Sequence, residues 1–159
     1  MNTIEIKIQV EYRLINELSD SDRELIEAAK KATDNSYSPY SHFRVGAALR
    51  LSDGRIVIGA NQENAAFPSG LCAERSAIFA AQSNWPEQSI ESIAIAARNE
   101  NGFVAVPVSP CGSCRQVMLE MEERYKHPIR VLLYGTQGVH VINSVKDLLP
   151  LCFVDANMR

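Results

Sequence analysis

Cys72, Glu74, Cys111 and Cys114 are the residues of this chain whose types and spacing could do chemistry. Cys72-Ala73-Glu74 opens one expected helix and Pro110-Cys111-Gly112-Ser113-Cys114 opens another, which gathers three thiols at two helix N-termini. Unpaired backbone N–H groups and the positive dipole end at such termini favour thiolates, the form of cysteine that binds metal. Soft sulfur donors point to zinc, and three protein ligands leave a fourth tetrahedral position for water, as catalytic sites do. The same cysteines could instead form a closed structural site, with Cys152 available as a fourth ligand, or remain reduced core thiols. Glu74 tells these readings apart. A carboxylate two residues beyond a ligand reaches over the metal without binding it and suits proton exchange with water, whereas a structural module has no use for it.

The elements that must hold these residues follow from periodicity and punctuation. Ser21 and Glu24 form a capping box, and Leu25, Ala28, Ala29 and Ala32 repeat at helical spacing until a polar stretch begins at Asp34. Residues 34 to 42, rich in Ser, Asn, Tyr and Pro, read as an ordered loop into a strand with Val45, Ala47, Leu49 and Leu51 on one face. Asp53-Gly54, both tolerant of positive φ, turns the chain into a hairpin partner at residues 56 to 60. A second helix is expected from Cys72 to about Asn84, with Pro86 beyond its end, and a third strand at residues 90 to 97. Cys114, Val117, Met118, Met121 and Tyr125 mark a helix after Pro110, followed by a buried strand at residues 129 to 134. A short strand near residues 139 to 142 and a small helix from Ser144 close the chain. At the other end, Ile4, Ile6, Ile8 and Val10 alternate with Glu5, Lys7 and Gln9, the pattern of a half-buried strand. The order of elements implies a mixed sheet with helices on its faces.

Composition narrows the class. At 159 residues and 46% hydrophobic, the chain reads as one domain spanning 1–159, with residues 1–18 as an N-terminal extension. No apolar run approaches the roughly 20 residues of a membrane span, and no basic-then-apolar leader opens the sequence, so a cytoplasmic protein without membrane partners is expected. There the four cysteines read as metal ligands or free thiols, not disulfides. A net charge of −3 without a Lys/Arg cluster argues against nucleic acid and for a small-molecule partner.

Three stretches, SPYSHFRVGAAL, NQENAAFPSGLCAERSAI and PCGSCRQVM, closely resemble the homotetrameric, three-cysteine type of cytidine deaminase over residues 20 to 153. The resemblance implies an α/β fold in three layers, a mixed five-stranded sheet flanked by helices. It implies hydrolytic deamination of cytidine and deoxycytidine in pyrimidine salvage, with one zinc per chain on Cys72, Cys111 and Cys114. Glu74 would be the proton carrier, and Arg75 would donate to the ligand sulfurs and draw off the negative charge of a centre in which three thiolates outweigh the metal. Asn61 and Glu63 would bind the ribose 3′-hydroxyl, Phe43 would pack beside the nucleoside, and the Ala73 backbone would meet the base. Phe153 falls where relatives extend an aromatic into a neighbour's site.

Two residues depart from the family pattern: Arg44 stands where many relatives have proline, and Phe67 replaces a common tyrosine. Both bear on substrate detail and leave the catalytic positions untouched. A deaminase for a cytosine-containing antibiotic of the blasticidin type is the nearest alternative, and Asn61 and Glu63 favour the ordinary nucleoside. His127, His140, Trp85, Met118 and Met121 read as structural or solvated.

Overall fold

A computed structural model describes residues 1–159. Helix α1 (Asp20–Ala32) is capped by Ser19, whose side chain accepts the Asp22 N–H at 3.1 Å, two residues before the expected Ser21. Ser19 is the residue with extended backbone, φ −63° and ψ 159°, and the cap leaves Asp20 and Asp22 in the first turn, where their charge complements the dipole. Leu25, Ile26, Ala29 and Ala32 form its buried face.

Strand β2 (Arg44–Leu51) pairs antiparallel with β3 (Ile56–Ala60). The hairpin closes through Leu51 N–H donating to the Arg55 carbonyl, around a loop in which only Gly54, at φ +86°, is left-handed. After helix α2 (Ala73–Asn84), β4 (Ile90–Asn99) lies antiparallel to β2. Helix α3 (Gly112–Tyr125) then crosses over so that β6 (Arg130–Gly135) runs parallel to β4, and β7 (Gly138–Ile142) returns antiparallel to it. These are the five expected strands. Two short ones join them: β5 (Gly102–Phe103) on the end of β4, and β1 (Glu11–Arg13) on the outer edge of β7, for the order β1-β7-β6-β4-β2-β3. The expected small helix after Ser144 is a 3₁₀ turn, Val145–Leu148.

Alternation along the strands builds both cores. Ala48, Ala94 and Leu132 face α1, while Leu49, Ile93 and Leu133 face α2 and α3 with Ile78 and Met118. The result is the three-layer α/β/α arrangement. Met118 and Met121 belong to this core, Trp85 packs against it, and His127 pairs with Glu91 on the surface at 3.1 Å. The expected strand over residues 4 to 10 is absent: residues 1 to 10 are exposed throughout, and pairing begins only at Glu11. Register gives the reason. Glu11 already faces Val141, the penultimate residue of β7, and beyond Ile142 the chain bends at Asn143 toward the 3₁₀ turn, so β7 offers residues 4 to 10 no strand to pair with.

Candidate active site

Cys72 and Cys111 are the N-cap residues of α2 and α3, both with extended backbone (ψ 157° and 166°), and neither thiol caps its own helix. Their sulfurs turn toward each other instead. Cys72 Sγ and Cys111 Sγ lie 3.9 Å apart, and with the buried Cys114 all three sulfurs fall within 4.8 Å of one another. Sulfurs on a tetrahedral zinc with bonds of about 2.3 Å sit about 3.8 Å apart, so this donor set fits zinc, with Cys72, Cys111 and Cys114 to hold it. Cys152 lies outside the group, half-buried against the core.

Close approach sets the position of α2. A Cβ on Gly59 of β3 would stand 2.4 Å from the Ala77 nitrogen and 2.6 Å from the Ala73 carbonyl, so glycine lets the first turns of α2 lie directly on the sheet. Ala73 is fully buried there. At α3, Arg115 donates from Nε to the Pro110 carbonyl at 2.8 Å and from Nη1 to the Leu148 carbonyl at 2.6 Å, fixing the residue before Cys111. Its place directly after Cys-x-x-Cys was the available signal for Arg115, but a clamp on distant carbonyls is not written in local spacing.

Electrostatics match the geometry. The Cys72 thiol is pulled down to about 5, first by a hydrogen bond from Cys114, then by Arg75 and Cys111, against the opposing effect of burial. Arg75 Nη2 donates to Cys72 Sγ at 3.6 Å, and the thiolate in turn holds the guanidinium charged. Cys114 is pushed up by sharing that hydrogen bond with Cys72 and by burial. Glu74, in the first turn of α2, is 4% exposed. Its carboxyl is raised above the usual 4.5 by burial foremost and by the Cys72 thiolate, with its own backbone N–H and Cys114 pulling the other way.

A cavity of about 410 Å³ opens onto Cys72 and Arg75 and is walled by Asn61, Glu63, Tyr40 and Phe67. Three segments are zipped together to form it. Tyr37 and Asn61–Glu63 exchange backbone bonds, and Gln62 and Leu71 exchange a further pair at 2.9 Å each, tying the wall to the residue before Cys72. The Asn61 amide is largely taken up in holding the wall together. Its Oδ1 accepts from Val45 N (2.8 Å) and Ser36 Oγ (2.5 Å), and its Nδ2 donates to the Phe43 carbonyl (2.9 Å). Glu63 accepts from the Tyr40 and Ser41 N–H groups and from the Ser41 hydroxyl, and that hydroxyl is the main reason its carboxyl is held below 4.5.

The structure thus brings Asn61, Glu63, Cys72 and Arg75 to one cavity; Cys111 and Cys114 cluster with Cys72 at its end, and the buried Glu74 interacts with Cys72 and Cys114. Phe43 reaches the site only through its carbonyl on Asn61, and Phe153 lies on the far side of α3, its carbonyl held by Gln116 at 3.0 Å. A larger polar cavity, about 790 Å³, is lined by His42, Arg44 and Arg98 behind the loop and holds none of the cysteines.

A family model, the cytidine and deoxycytidylate deaminase zinc-binding region, matches residues 19–126. The chain is 41% identical over 135 residues to a cytidine deaminase of Halalkalibacterium halodurans, covering 85% of this chain and 96% of that one. It is 47% identical over 129 residues to a cytidine deaminase of Sporosarcina psychrophila, covering 81% and 88%. The crystal structure of cytidine deaminase from Burkholderia pseudomallei superposes with a TM-score of 0.71 at 41% identity, over 82% of this chain and 97% of that one. All three clustered cysteines and Glu74 fall inside the matched region, and relatives are covered almost end to end: the chain belongs to the cytidine and deoxycytidylate deaminase family.

Proposed function

We propose that this protein hydrolyses the amino group of cytidine and deoxycytidine, giving uridine and deoxyuridine and releasing ammonia. The observation that carries the reading is a buried carboxylate, Glu74, next to three sulfurs spaced for one zinc at the end of an open cavity. Bound zinc supplies Lewis acidity, which brings the pKa of a coordinated water to about 7. Glu74 takes a proton from the attacking water and passes it to ring N3, then takes the proton of the newly added hydroxyl and passes it to the amine, which departs as ammonia while the carbonyl forms. A carboxyl raised by burial suits a group that must hold and release protons in turn. Arg75 offsets the charge of the thiolates through its contact with Cys72. Glu63, ionised and already oriented by Tyr40 and Ser41, accepts the ribose hydroxyl, and the remaining Asn61 N–H donates to it. Phe43 shapes the wall from behind, and the Ala73 backbone meets the base.

The place of this reaction is pyrimidine salvage in the cytoplasm, by a homotetramer. No helix is long and apolar enough to cross a membrane. Supporting assembly, Phe67 at 76% and Phe153 at 58% exposure present large apolar surface near the site and at the C-terminus, of the kind that a neighbouring copy covers. The test is ultraviolet absorbance of zinc-quantified protein with cytidine, deoxycytidine, cytosine and blasticidin S in separate reactions. Loss of both nucleoside signals with ammonia release supports the reading. Reaction of the antibiotic alone removes the ribose roles of Asn61 and Glu63, and no reaction at one zinc per chain removes nucleoside deamination.

A further inference from the structure

The N-terminal arm carries the pattern of a buried strand face and has nothing to bury it. Ile4, Ile6, Ile8, Val10, Tyr12 and Leu14 alternate along it and are each between 47% and 82% exposed. The root of the arm is fixed. Tyr12 lies across Gly138, donates its hydroxyl to the Gln137 carbonyl at 2.6 Å, and meets the His140 ring edge to face at 5.9 Å. The arm runs directly into β1, an edge strand whose outer side has no neighbour. A long apolar edge with no proline or bulge to blunt it is a template for another strand.

We propose that the occupant is the same arm of a second copy, antiparallel, about a two-fold axis at Gln9. Charge selects this register. Centred on Gln9, Glu5 of one copy faces Arg13 of the other and Lys7 faces Glu11, each pair occurring twice. On the opposite side Ile4 meets Leu14, Ile6 meets Tyr12 and Ile8 meets Val10. Moving the centre to Ile8 sets Glu5 against Glu11, and moving it to Val10 sets Lys7 against Arg13, like charges that destabilise a cross-strand pair. Within one chain Glu11 and Arg13 pair with each other at 2.8 Å, while Glu5, Lys7 and Gln9 have no side-chain partner. The joined arms continue the sheet from β7 of one copy through both β1 strands to β7 of the other, an isologous contact. This assembly is independent of the deaminase reading.

Gln9→Cys places two thiols at the axis of the pair. Glu5→Cys, by contrast, keeps them about 27 Å apart along the strands. Treated with diamide at micromolar concentration, the full-length zinc-loaded Gln9→Cys protein is expected to form a reducible dimer about a hundredfold faster than Glu5→Cys, because pairing raises the effective thiol concentration. Adding Ile6→Lys and Ile8→Lys to Gln9→Cys is expected to abolish the dimer. The helical circular dichroism signal should stay unchanged in every variant, since the substitutions lie outside α1, α2 and α3. No dimer from Gln9→Cys, equal dimer from Glu5→Cys, or a dimer indifferent to the two lysines would each overturn the proposal.

Discussion

Replacing Glu74 by glutamine exchanges one carboxylate oxygen for an amide nitrogen and keeps the length and shape of the side chain. The site is buried, 4% exposed, and lies beside the cysteine cluster without being one of its donors. What is lost is the ability to gain and release a proton. A positioned general acid–base group contributes about 10²- to 10⁴-fold, so kcat on cytidine is expected to fall by that factor, about 3–5 kcal/mol on the barrier. Stability moves differently. Because burial holds the folded-state pKa above the usual 4.5, the stabilising effect of protonated Glu74 is complete below that value and is lost as pH rises through the raised one. Glutamine undergoes no such loss, so the variant is expected to melt no lower than the parent at neutral pH. Three measurements on one preparation decide the matter: kcat and KM by absorbance, zinc by atomic absorption, and thermal unfolding. A kcat within about threefold of the parent would refute the proton-carrier role. Loss of zinc together with activity would refute the separation of Glu74 from the ligand set.

Two further perturbations follow from the same geometry. With the Cys72 thiol held at about 5, its thiolate exists before metal arrives, so zinc loading of metal-free protein at pH 7 is expected to release fewer protons than the three thiols can hold. Calorimetry in buffers of different ionisation enthalpy counts them, and release of three contradicts the Cys72 assignment. Separately, Glu122→Ala removes the acceptor of the Ile129 and Val145 N–H groups (2.8 and 2.7 Å) and of the Ser144 hydroxyl (2.9 Å). With two buried donors orphaned at about 1–3 kcal/mol each, urea unfolding is expected to show a loss of about 3–5 kcal/mol, and a loss below about 1 kcal/mol contradicts the reasoning.

The chemistry was legible in the sequence because it is local. Cys72 and Cys111 each open a helix, and the two helices begin at Ala73 and Gly112, where the Pro-Cys and Cys-x-Glu patterns put them. Strand β2 was equally plain, since Ala47, Leu49 and Leu51 share one core as their period-two spacing requires, although Ala48 between them is buried in the other. What could not be read locally is the choice among partners. Asn61 carries the pattern of a ribose contact, yet most of its amide is spent holding Phe43, Val45 and Ser36, partners that lie far along the chain. Ser21 satisfies a capping pattern that Ser19 wins because the chain is still extended at 19. Arg115 and Glu122 tie elements together through backbone groups, and a backbone donor has no sequence signature. The period-two pattern of residues 4 to 10 is real, but whether a strand forms depends on a neighbour that β7 is too short to supply.

The same electrostatic arrangement explains both halves of the site. Two helix N-termini converge on the cysteines, and their unpaired N–H groups, with Arg75 against Cys72, favour the Cys72 thiolate before any metal is bound, while the buried Cys114 resists ionisation. Three thiolates on a divalent ion leave the centre negative, which weakens its pull on water. Arg75 counters that at the sulfur of Cys72, and its position one residue after Glu74 in the first turn of α2 means that the counter-charge and the proton carrier are placed by a single element. Glu74 feels the opposite influence. Buried, and facing the Cys72 thiolate, it resists ionisation, so the surroundings that make the cysteines a cation site also make Glu74 ready to carry a proton. Moving α2 along the sheet would disturb both at once, and Gly59, with backbone where its Cβ would be, is what lets α2 sit close enough for neither to move.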